Sequence, residues 1–318
     1  MTIDTCQAIA DAALTRYDLP PGATAQLINI SENATFRIDV GDGRRFALRI
    51  HRENYHSRAA VASELAWIAA LRRAGDIVTA APVTGRNGEL IQDVEGRMVA
   101  MFGWETGREP SEDNLPAAFP ALGRAAALLH RHARSWQRPA GFERLTWDFD
   151  GAFGANPHWG HWRDGMGLDR AREKLFGRTV DLIGRRLAAF GTSPRRFGLV
   201  HCDMRLANLL IDGETTKVID FDDCGFSWYL YDCGSALSFI EHRPDVPELV
   251  AAWVKGYREV EPLSLQDEAE IPTFILFRRL LLVAWIGSHA ETDLAKSMGV
   301  PYTEQSAALC EEYLKRWR

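Results

Sequence analysis

The chain lacks an excess of basic residues, because its 37 lysines and arginines stand against 43 aspartates and glutamates, a net charge of −6. A protein that neutralised many nucleic-acid phosphates would carry the opposite balance, so no nucleic-acid partner is expected. No segment approaches about 18 uninterrupted apolar residues, so no membrane span is predicted. The N-terminal segment lacks a basic start followed by an apolar block, so no signal peptide is expected either.

Cysteine is scarce, with five residues in all and no C-x-x-C pair. This odd number disfavours both a disulfide framework and a zinc site. Cys202 lies inside the motif described below and invites interpretation as a nucleophile, but no second cysteine accompanies it, and we interpret it as a bystander. Reduced thiols are typical of the cytoplasm, which is the predicted location. Composition leaves the oligomeric state open.

The chain divides into two regions of different character. Alternating apolar segments precede and follow a predicted helix that begins after Ser57 and stops at Gly75. Most later segments have helical periodicity, except at residues 197–223, where short apolar strands reappear. We therefore predict an α+β protein of two lobes, with residues 1–103 forming a small antiparallel sheet with one helix and residues 104–318 forming a larger, mainly helical lobe.

Residues 197–223 contain a polar motif, LVHCDMRLANLL, followed by TKVID. Asp203 and Asp220 are 17 residues apart (220 − 203), enough for a strand, a turn and a returning strand, so Asp203, Asn208 and Asp220 are expected at one end of a hairpin. Their hard oxygen atoms suit Mg²⁺. If Asn208 and Asp220 hold the metal, Asp203 is left to accept a proton from a hydroxyl, and Asp222 could touch a second metal.

The two motifs together resemble the H-x-D-x-x-x-x-N and D-x-D/E motifs of the aminoglycoside phosphotransferase and choline kinase group, the small-molecule branch of the protein-kinase-like fold. The details of VIDFDDCGFSWYLYD are closer to homoserine-kinase-like and bacterial stress-response Ser/Thr kinase proteins. The resemblance implies a nucleotide-binding first lobe, a catalytic and acceptor-binding second lobe, and ATP with Mg²⁺. It also implies that Asp203 is the catalytic base, that Asn208 and Asp220 bind metal, and that Arg205 contacts the γ-phosphate.

The first lobe is expected to supply a cation for the ATP phosphates. Where protein kinases have V-A-I-K, this chain has FALR, which places Ala47 over adenine and Arg49 in the position of the lysine. Glu64 falls within an apolar helical stripe with Leu65 and Ile68, and an acid there needs a partner, for which Arg49 is the candidate. The alternative is a glutamate at the edge of the stripe that reaches water.

Two more segments of the first lobe are candidates for nucleotide contacts. The chain has no G-x-G-x-x-G motif, and the polar segment NISENATFRI stands in its place. Ser31, Asn33 and Thr35 are the candidate phosphate contacts there, and a simple turn is the alternative. Main-chain groups from Phe102 to Trp104, in the expected connection between lobes, are candidates for hydrogen bonds to adenine.

The identity of the phosphoryl acceptor is the feature that the sequence determines least. The aromatic segment from Trp147 to Trp162 is predicted to be a loop or lid in which Trp159 and Trp162 stack on a cationic amine and Asp148 pairs with its ammonium group. The alternative is a cluster that merely packs a long loop against helices.

Three other features of the second lobe carry expectations. The family resemblance also implies that Asp232 braces the catalytic loop through its backbone amides, and His130 is expected to be a packed histidine. Arg278 and Arg279 are most simply a helix face, although one of them could reach the acceptor.

We therefore expect ATP-dependent phosphoryl transfer to a hydroxyl of a small, amine-bearing metabolite. Two alternatives stay open. One is a Ser/Thr protein kinase, which needs room for an extended chain near the aromatic segment. The other is a nucleotide-binding pseudokinase that acts as a regulatory module; Arg49 in place of lysine supports it, whereas the intact Asp203, Asn208 and Asp220 oppose it.

Overall fold

The computed structural model describes residues 3–30, 33–110, 115–213 and 215–317. Its helices are α1 (Ile3–Leu14), α2 (Arg58–Ala74), α3 (Leu115–Ser135), α4 (Phe149–Phe153), α5 (Arg170–Phe190), α6 (Tyr231–Ala236), α7 (Val246–Arg258), α8 (Leu265–Glu268), α9 (Ile271–Ser288) and α10 (Asp293–Arg316). Its strands are β1 (Thr24–Ile30), β2 (Ala34–Asp39), β3 (Arg45–Ile50), β4 (Pro82–Val83), β5 (Ile91–Val94), β6 (Arg97–Gly103), β7 (Phe197–Val200), β8 (Leu209–Asp212), β9 (Thr215–Val218) and β10 (Gly225–Trp228).

The chain forms two compact units. Unit 1 comprises Met1–Arg108, Trp136–Arg144 and Leu210–Asp222, and unit 2 comprises the remainder from Glu109 onwards. A small antiparallel sheet and a mainly helical C-terminal part confirm the predicted α+β class. The predicted lobe boundary after residue 103 stays a prediction.

The sheet of unit 1 has the order β1-β2-β3-β6-β4, and β5 also pairs with β6. All of its paired strands are antiparallel. Alternation on β2 buries Ala34, Phe36 and Ile38, which pack with α1 and with Leu48 and Met101 in one core. Side chains at the intervening positions lie on the opposite face of the sheet, and that face carries the candidate nucleotide residues.

Helix α2 begins and ends where the sequence predicts. The Ser57 side chain accepts a hydrogen bond from the Ala60 N–H at 3.0 Å, and Gly75 closes the helix in the left-handed region with φ of 78°. The turn between β5 and β6 uses Glu95 and Gly96, both with positive φ. Local sequence signals therefore account for the ends of α2 and for the β5–β6 turn within the sheet.

Strands β8 and β9 form a hairpin, the strand, turn and return predicted between Asp203 and Asp220. Strand β7 pairs instead with β10, a strand that the sequence pattern did not predict. In unit 1 the hairpin is attached by two backbone bridges, from Arg108 to Ile211 and from Val78 to Lys217. Residues 210–222 belong to unit 1 for this reason.

Unit 2 is built around closely packed helices. Helices α3 and α7 approach so closely that a Cβ added at Gly123 would lie 1.9 Å from the Trp253 carbonyl oxygen, and one at Gly256 would lie 1.9 Å from that of Pro120. An 18-residue window within Leu265–Ser288 has a mean hydropathy of 1.5, enough by length and composition to cross a membrane. Because 83% of that window is buried, it has the properties of a core helix.

Candidate active site

The candidate base Asp203 lies on a loop of unit 2 that is braced from behind by Asp232. The Asp232 carboxylate accepts the backbone N–H of His201 at 3.2 Å and that of Cys202 at 2.8 Å. His130 Nε2 lies 3.0 Å from the same carboxylate, and burial lowers the pKa of this imidazole, so His130 is a neutral packing partner as predicted. Cys202 has φ of 68°, a conformation that non-glycine residues seldom adopt outside constrained loops. The expected brace is therefore present.

Three donors converge on the Asp203 carboxylate. Arg278 Nη2 donates to Oδ1 at 2.7 Å, and Arg205 Nε donates to Oδ2 at 3.0 Å. Asn208 Nδ2 donates to the same Oδ2 and to the Asp203 carbonyl oxygen, both at 2.8 Å. The carboxylate is thus oriented on both oxygen atoms by groups from its own unit.

The surroundings also determine the protonation states of the Asp203 carboxyl and the Cys202 thiol. Burial by itself raises the pKa of the Asp203 carboxyl, but Arg205 and Arg278 hold it below its ordinary value. Asp203 is therefore ionised near neutral pH, as a proton acceptor must be. Burial raises the pKa of the Cys202 thiol well above its usual range, which supports its interpretation as a bystander.

The second group of candidate residues surrounds Arg49 in unit 1. Arg49 Nη1 lies 2.6 Å from Glu64 Oε1, so the ion pair predicted from the helical stripe is present. The same guanidinium lies 3.0 Å from Asp220 Oδ1 and 3.3 Å from Asp222 Oδ1. Burial alone lowers the pKa of Arg49, but the three carboxylates hold it above its ordinary value, so the cation is permanent.

Asp222 is the buried centre of a polar cluster. Asn33 Nδ2 donates to its Oδ2 at 2.7 Å, and Asn33 Oδ1 accepts the Arg52 N–H at 3.0 Å. His51 and His56 each place a ring nitrogen 3.7 Å from this carboxylate, beyond hydrogen-bond distance. Among the described residues none of their four ring nitrogens has a hydrogen-bond partner, a situation that ordered water usually resolves.

Burial lowers the pKa of His51 to about 4, although the Asp222 carboxylate acts in the opposite direction. Burial likewise opposes ionisation of Asp222, but the buried Arg49 cation holds the pKa of its carboxyl well below the usual range. Asp222 is therefore an anion already contacted by Arg49 and Asn33, and its predicted contact to a second metal stays a prediction.

The face of β3 that carries Arg49 also carries the other predicted nucleotide residues. Thr35 pairs directly with Arg49 across β2 and β3, and Ala47 pairs with Phe102 across β3 and β6, so these side chains share one face. The Arg49 guanidinium lies 5.2 Å from the centre of the Phe102 ring. Ser31 lies outside the described residues.

The segment expected to contact adenine has two of its amides already in use. The Gly103 N–H donates to Ala81 O at 2.8 Å, and the Trp104 N–H donates to Arg45 O at 3.3 Å. An adenine contact at these two positions would therefore use carbonyl oxygen atoms. The predicted roles of Phe102 and Trp104 stay predictions.

The two predicted metal ligands, Asn208 in unit 2 and Asp220 in unit 1, each offer an oxygen type that suits a hard divalent cation, and their metal-binding roles stay predictions. Because Asn208 Nδ2 is committed to Asp203, the amide oxygen is the atom left for a metal. Asp220, in unit 1, has φ of 62° and a side chain that is 50% exposed, with one oxygen held by Arg49. An amide oxygen and a carboxylate are the ligand types that Mg²⁺ accepts.

The predicted acceptor residues occupy packed positions in unit 2. Asp148 caps α4, where it accepts the Gly151 N–H at 2.8 Å. Trp159 and Trp162 are only 4% and 2% exposed. The cation that lies over Trp159, at 5.1 Å from the ring centre, is the guanidinium of Arg278. This packing favours the alternative of a cluster that supports the loop, and contact with an acceptor stays a prediction for all three.

Sequence reasoning missed the role of Arg278. The sequence predicts a helix face for Arg278 and Arg279, with one of them able to reach the acceptor, yet both are buried. Arg278 reaches Asp203, whereas Arg279 reaches Glu241 at 2.7 Å. Two adjacent arginines inside the long apolar run of α9 were the available signal, because buried guanidinium groups require partners. His51 and His56 gave no comparable signal.

The small antiparallel sheet, the helical unit and the braced Asp203 loop together define a kinase-like phosphotransferase. The family model described as "Phosphotransferase enzyme family" matches residues 24–269, more than half of the chain, so this chain belongs to that family.

Individual relatives agree with this assignment. The chain is similar to a solved microcompartment-associated aminopropanol kinase, with a TM-score of 0.90 and 41% identity over 99% of this chain and 98% of that chain. Amicoumacin kinase of Bacillus subtilis (strain 168) is 25% identical over 87% of this chain and 83% of its own length. The structure of amicoumacin kinase hAmiN, in complex with AMP-PNP and Ca²⁺, has the same fold, with a TM-score of 0.79 at 20% identity over 95% of this chain and 93% of that chain.

Proposed function

We propose that this chain transfers the γ-phosphoryl group of ATP to a hydroxyl of a small, amine-bearing alcohol. The single observation that carries the proposal is the Asp203 carboxylate, held ionised and oriented on a braced loop by Arg278, Arg205 and Asn208. The likeness to an aminopropanol kinase, at 41% identity, supports an amino alcohol as the acceptor class.

In this proposal Asp203 orients the acceptor hydroxyl and accepts its proton as the new phosphate ester forms. Arg205 stabilises the negative charge that develops on the transferred group. Asn208 and Asp220 hold Mg²⁺, which supplies charge neutralisation for the phosphates, and Asp222 stays the candidate for a second metal.

The nucleotide is assigned to unit 1 in the same proposal. Arg49, oriented by Glu64, binds the α- and β-phosphates as a bidentate donor. Ser31, Asn33 and Thr35 contact phosphate, Ala47 covers adenine, and the chain from Phe102 to Trp104 binds its edge. Location in the cytoplasm belongs to the proposal as well, on the ground that the five cysteines, all among the described residues, are buried thiols outside any disulfide.

ATP consumption tests this proposal. Purified protein is incubated with Mg²⁺-ATP and one class of acceptor at a time, and ADP formation is followed. The acceptor classes are amino alcohols, hydroxy amino acids, aminoglycosides and generic protein substrates. We expect turnover with a small amino alcohol, none without an acceptor, and turnover about 10²- to 10⁴-fold lower in Asp203→Asn. Turnover only with protein substrates would establish the Ser/Thr kinase alternative, and nucleotide binding without turnover on any acceptor would favour the pseudokinase.

A further inference from the structure

We propose that Arg278 is a fixed positioning residue for Asp203, whereas Arg205 is its exchangeable partner. The inference rests on the proposed function, because it assumes that Asp203 acts as the base. The supporting observation is that two guanidinium groups contact the same carboxylate, one of them buried and the other part-exposed.

Arg278 is locked in place by partners on several sides. Its side chain is 3% exposed. Nε donates to Ser238 Oγ at 3.0 Å, Nη1 donates to Tyr231 Oη at 3.0 Å, and Nη2 donates to Asp203 Oδ1 at 2.7 Å. The guanidinium also lies over the Trp159 ring. Moving it would leave buried donors unpaired, so it stays fixed while the carboxylate works.

Arg205 is more accessible to solvent than Arg278. Its side chain is 35% exposed, and Nε donates to Asp203 Oδ2 at 3.0 Å. The guanidinium lies 5.9 Å from the Phe239 ring centre, and Phe239 itself has φ of 74°, a strained conformation for an aromatic residue. Because Arg205 is part-exposed, solvent or an incoming hydroxyl can reach its contact with Oδ2 more readily than the buried contact of Arg278 with Oδ1.

The two oxygens of Asp203 therefore have different duties. Oδ1 stays with Arg278, which fixes the plane of the carboxylate, and Oδ2 is the atom that receives the acceptor hydroxyl in place of Arg205. The hydroxyl oxygen then bonds to the γ-phosphorus of ATP, its proton moves to Asp203 Oδ2, and the bond from that phosphorus to the leaving oxygen breaks, so that ADP departs with the electron pair. Once displaced from Oδ2, Arg205 pairs with the transferred phosphoryl group.

Arg279 provides a matched control on the same helix. It is also buried, and its three nitrogens donate to Glu241 at 2.7 Å, to Ser306 Oγ at 2.7 Å and to the Tyr302 carbonyl at 3.0 Å. It makes no contact with Asp203 among the hydrogen bonds of the described residues. Replacing it should lower stability without changing the turnover of the folded protein.

The experiment compares Arg278→Met, Arg278→Lys and Arg279→Met in the full chain, with an amino alcohol as acceptor. Loss of the fixed donor misplaces the base, so we expect Arg278→Met to lower kcat on the order of 10²-fold, with little change in the KM for acceptor or in Mg²⁺-ATP affinity. Arg278→Lys should recover part of kcat, because lysine restores the positive charge but not the planar set of N–H donors of a guanidinium. Arg279→Met should lower Tm and leave kcat per folded molecule unchanged.

Tyr231→Phe tests the same idea if Arg278→Met does not fold. It keeps the ring that packs on Phe277 and removes only the hydroxyl that holds Arg278. We expect a smaller kcat loss with an unchanged KM. Wild-type kcat in Arg278→Lys and Tyr231→Phe, or a loss equal to that of Arg279→Met, would overturn the positioning role. If Asp203→Asn loses activity in the same assay, such an outcome refutes the role of Arg278 and leaves the proposed function standing. If Asp203→Asn is fully active, the proposed function itself fails.

Discussion

Replacing Asp203 with asparagine is the sharpest perturbation that the structure offers, because an amide cannot satisfy the three donors that the carboxylate accepts. Oδ1 receives Arg278, and Oδ2 receives both Arg205 and Asn208. Asparagine has a single acceptor oxygen. With that oxygen at the Oδ2 position, the new NH₂ group points at the Arg278 guanidinium, donor against donor.

The expected magnitude follows from this count. One buried donor left without an acceptor costs about 1–3 kcal/mol, and the charge on Arg278 favours the upper part of that range. We therefore expect Asp203→Asn to lower stability by about 2–3 kcal/mol, which corresponds to a Tm decrease of roughly 3–5 °C for a chain of this size. Loss of the proton acceptor should lower kcat by about 10²- to 10⁴-fold.

The assay separates the two effects. Thermal unfolding measures stability, steady-state ADP formation measures kcat at a temperature where the variant is fully folded, and calorimetric titration measures Mg²⁺-ATP affinity. Asp245→Asn is a suitable control, because it removes the charge from another arginine pair in unit 2, the one with Arg243. A folded Asp203→Asn variant with the kcat of wild type would refute the assignment of the base.

Three further outcomes are expected. Asp220→Ala should weaken nucleotide binding only when Mg²⁺ is present, and a titration of affinity against Mg²⁺ that matched wild type would contradict its metal role. Glu64→Gln should lower stability by about 3 kcal/mol in denaturant unfolding, at the low end for a broken buried pair because Arg49 keeps Asp220 and Asp222 as partners, and it should raise the KM for ATP. The pKa of Asp203 is depressed in the folded chain, so its stabilising contribution is complete above about pH 4 and is lost as the pH falls further. The Tm difference between wild type and Asp203→Asn should therefore narrow in acid, and a constant difference would be inconsistent with this reasoning.

Local features of the fold were predictable because each depends on neighbouring residues in the chain. Helix α2 begins after Ser57 and ends at Gly75, as expected. Glu95 and Gly96 form the turn that connects β5 to β6. The spacing between the two acidic motifs correctly indicated a hairpin. The pairing of β7 with β10 was not predicted, because it joins segments whose register no local pattern encodes.

The candidate site was predictable only in part. The apolar stripe that contains Glu64 pointed to Arg49, since an acid buried on one helix face requires a cation nearby. No such signal identified the histidines beside Asp222, because neutral imidazoles pack in cores for many reasons. The aromatic segment suggested a binding wall, but composition does not distinguish rings that face a ligand from rings that pack against helices.

The sequence by itself determined the chemical inventory: the base candidate and its metal-type oxygens at fixed spacing, and an arginine where a kinase has lysine. Only the tertiary structure decided that Arg278 holds Asp203 while Arg279 pairs with Glu241. Adjacent residues on a helix point about 100° apart, and which of the two faces the base depends on how α9 packs within unit 2. That orientation arises from the burial of the whole helix, which no short stretch of sequence specifies.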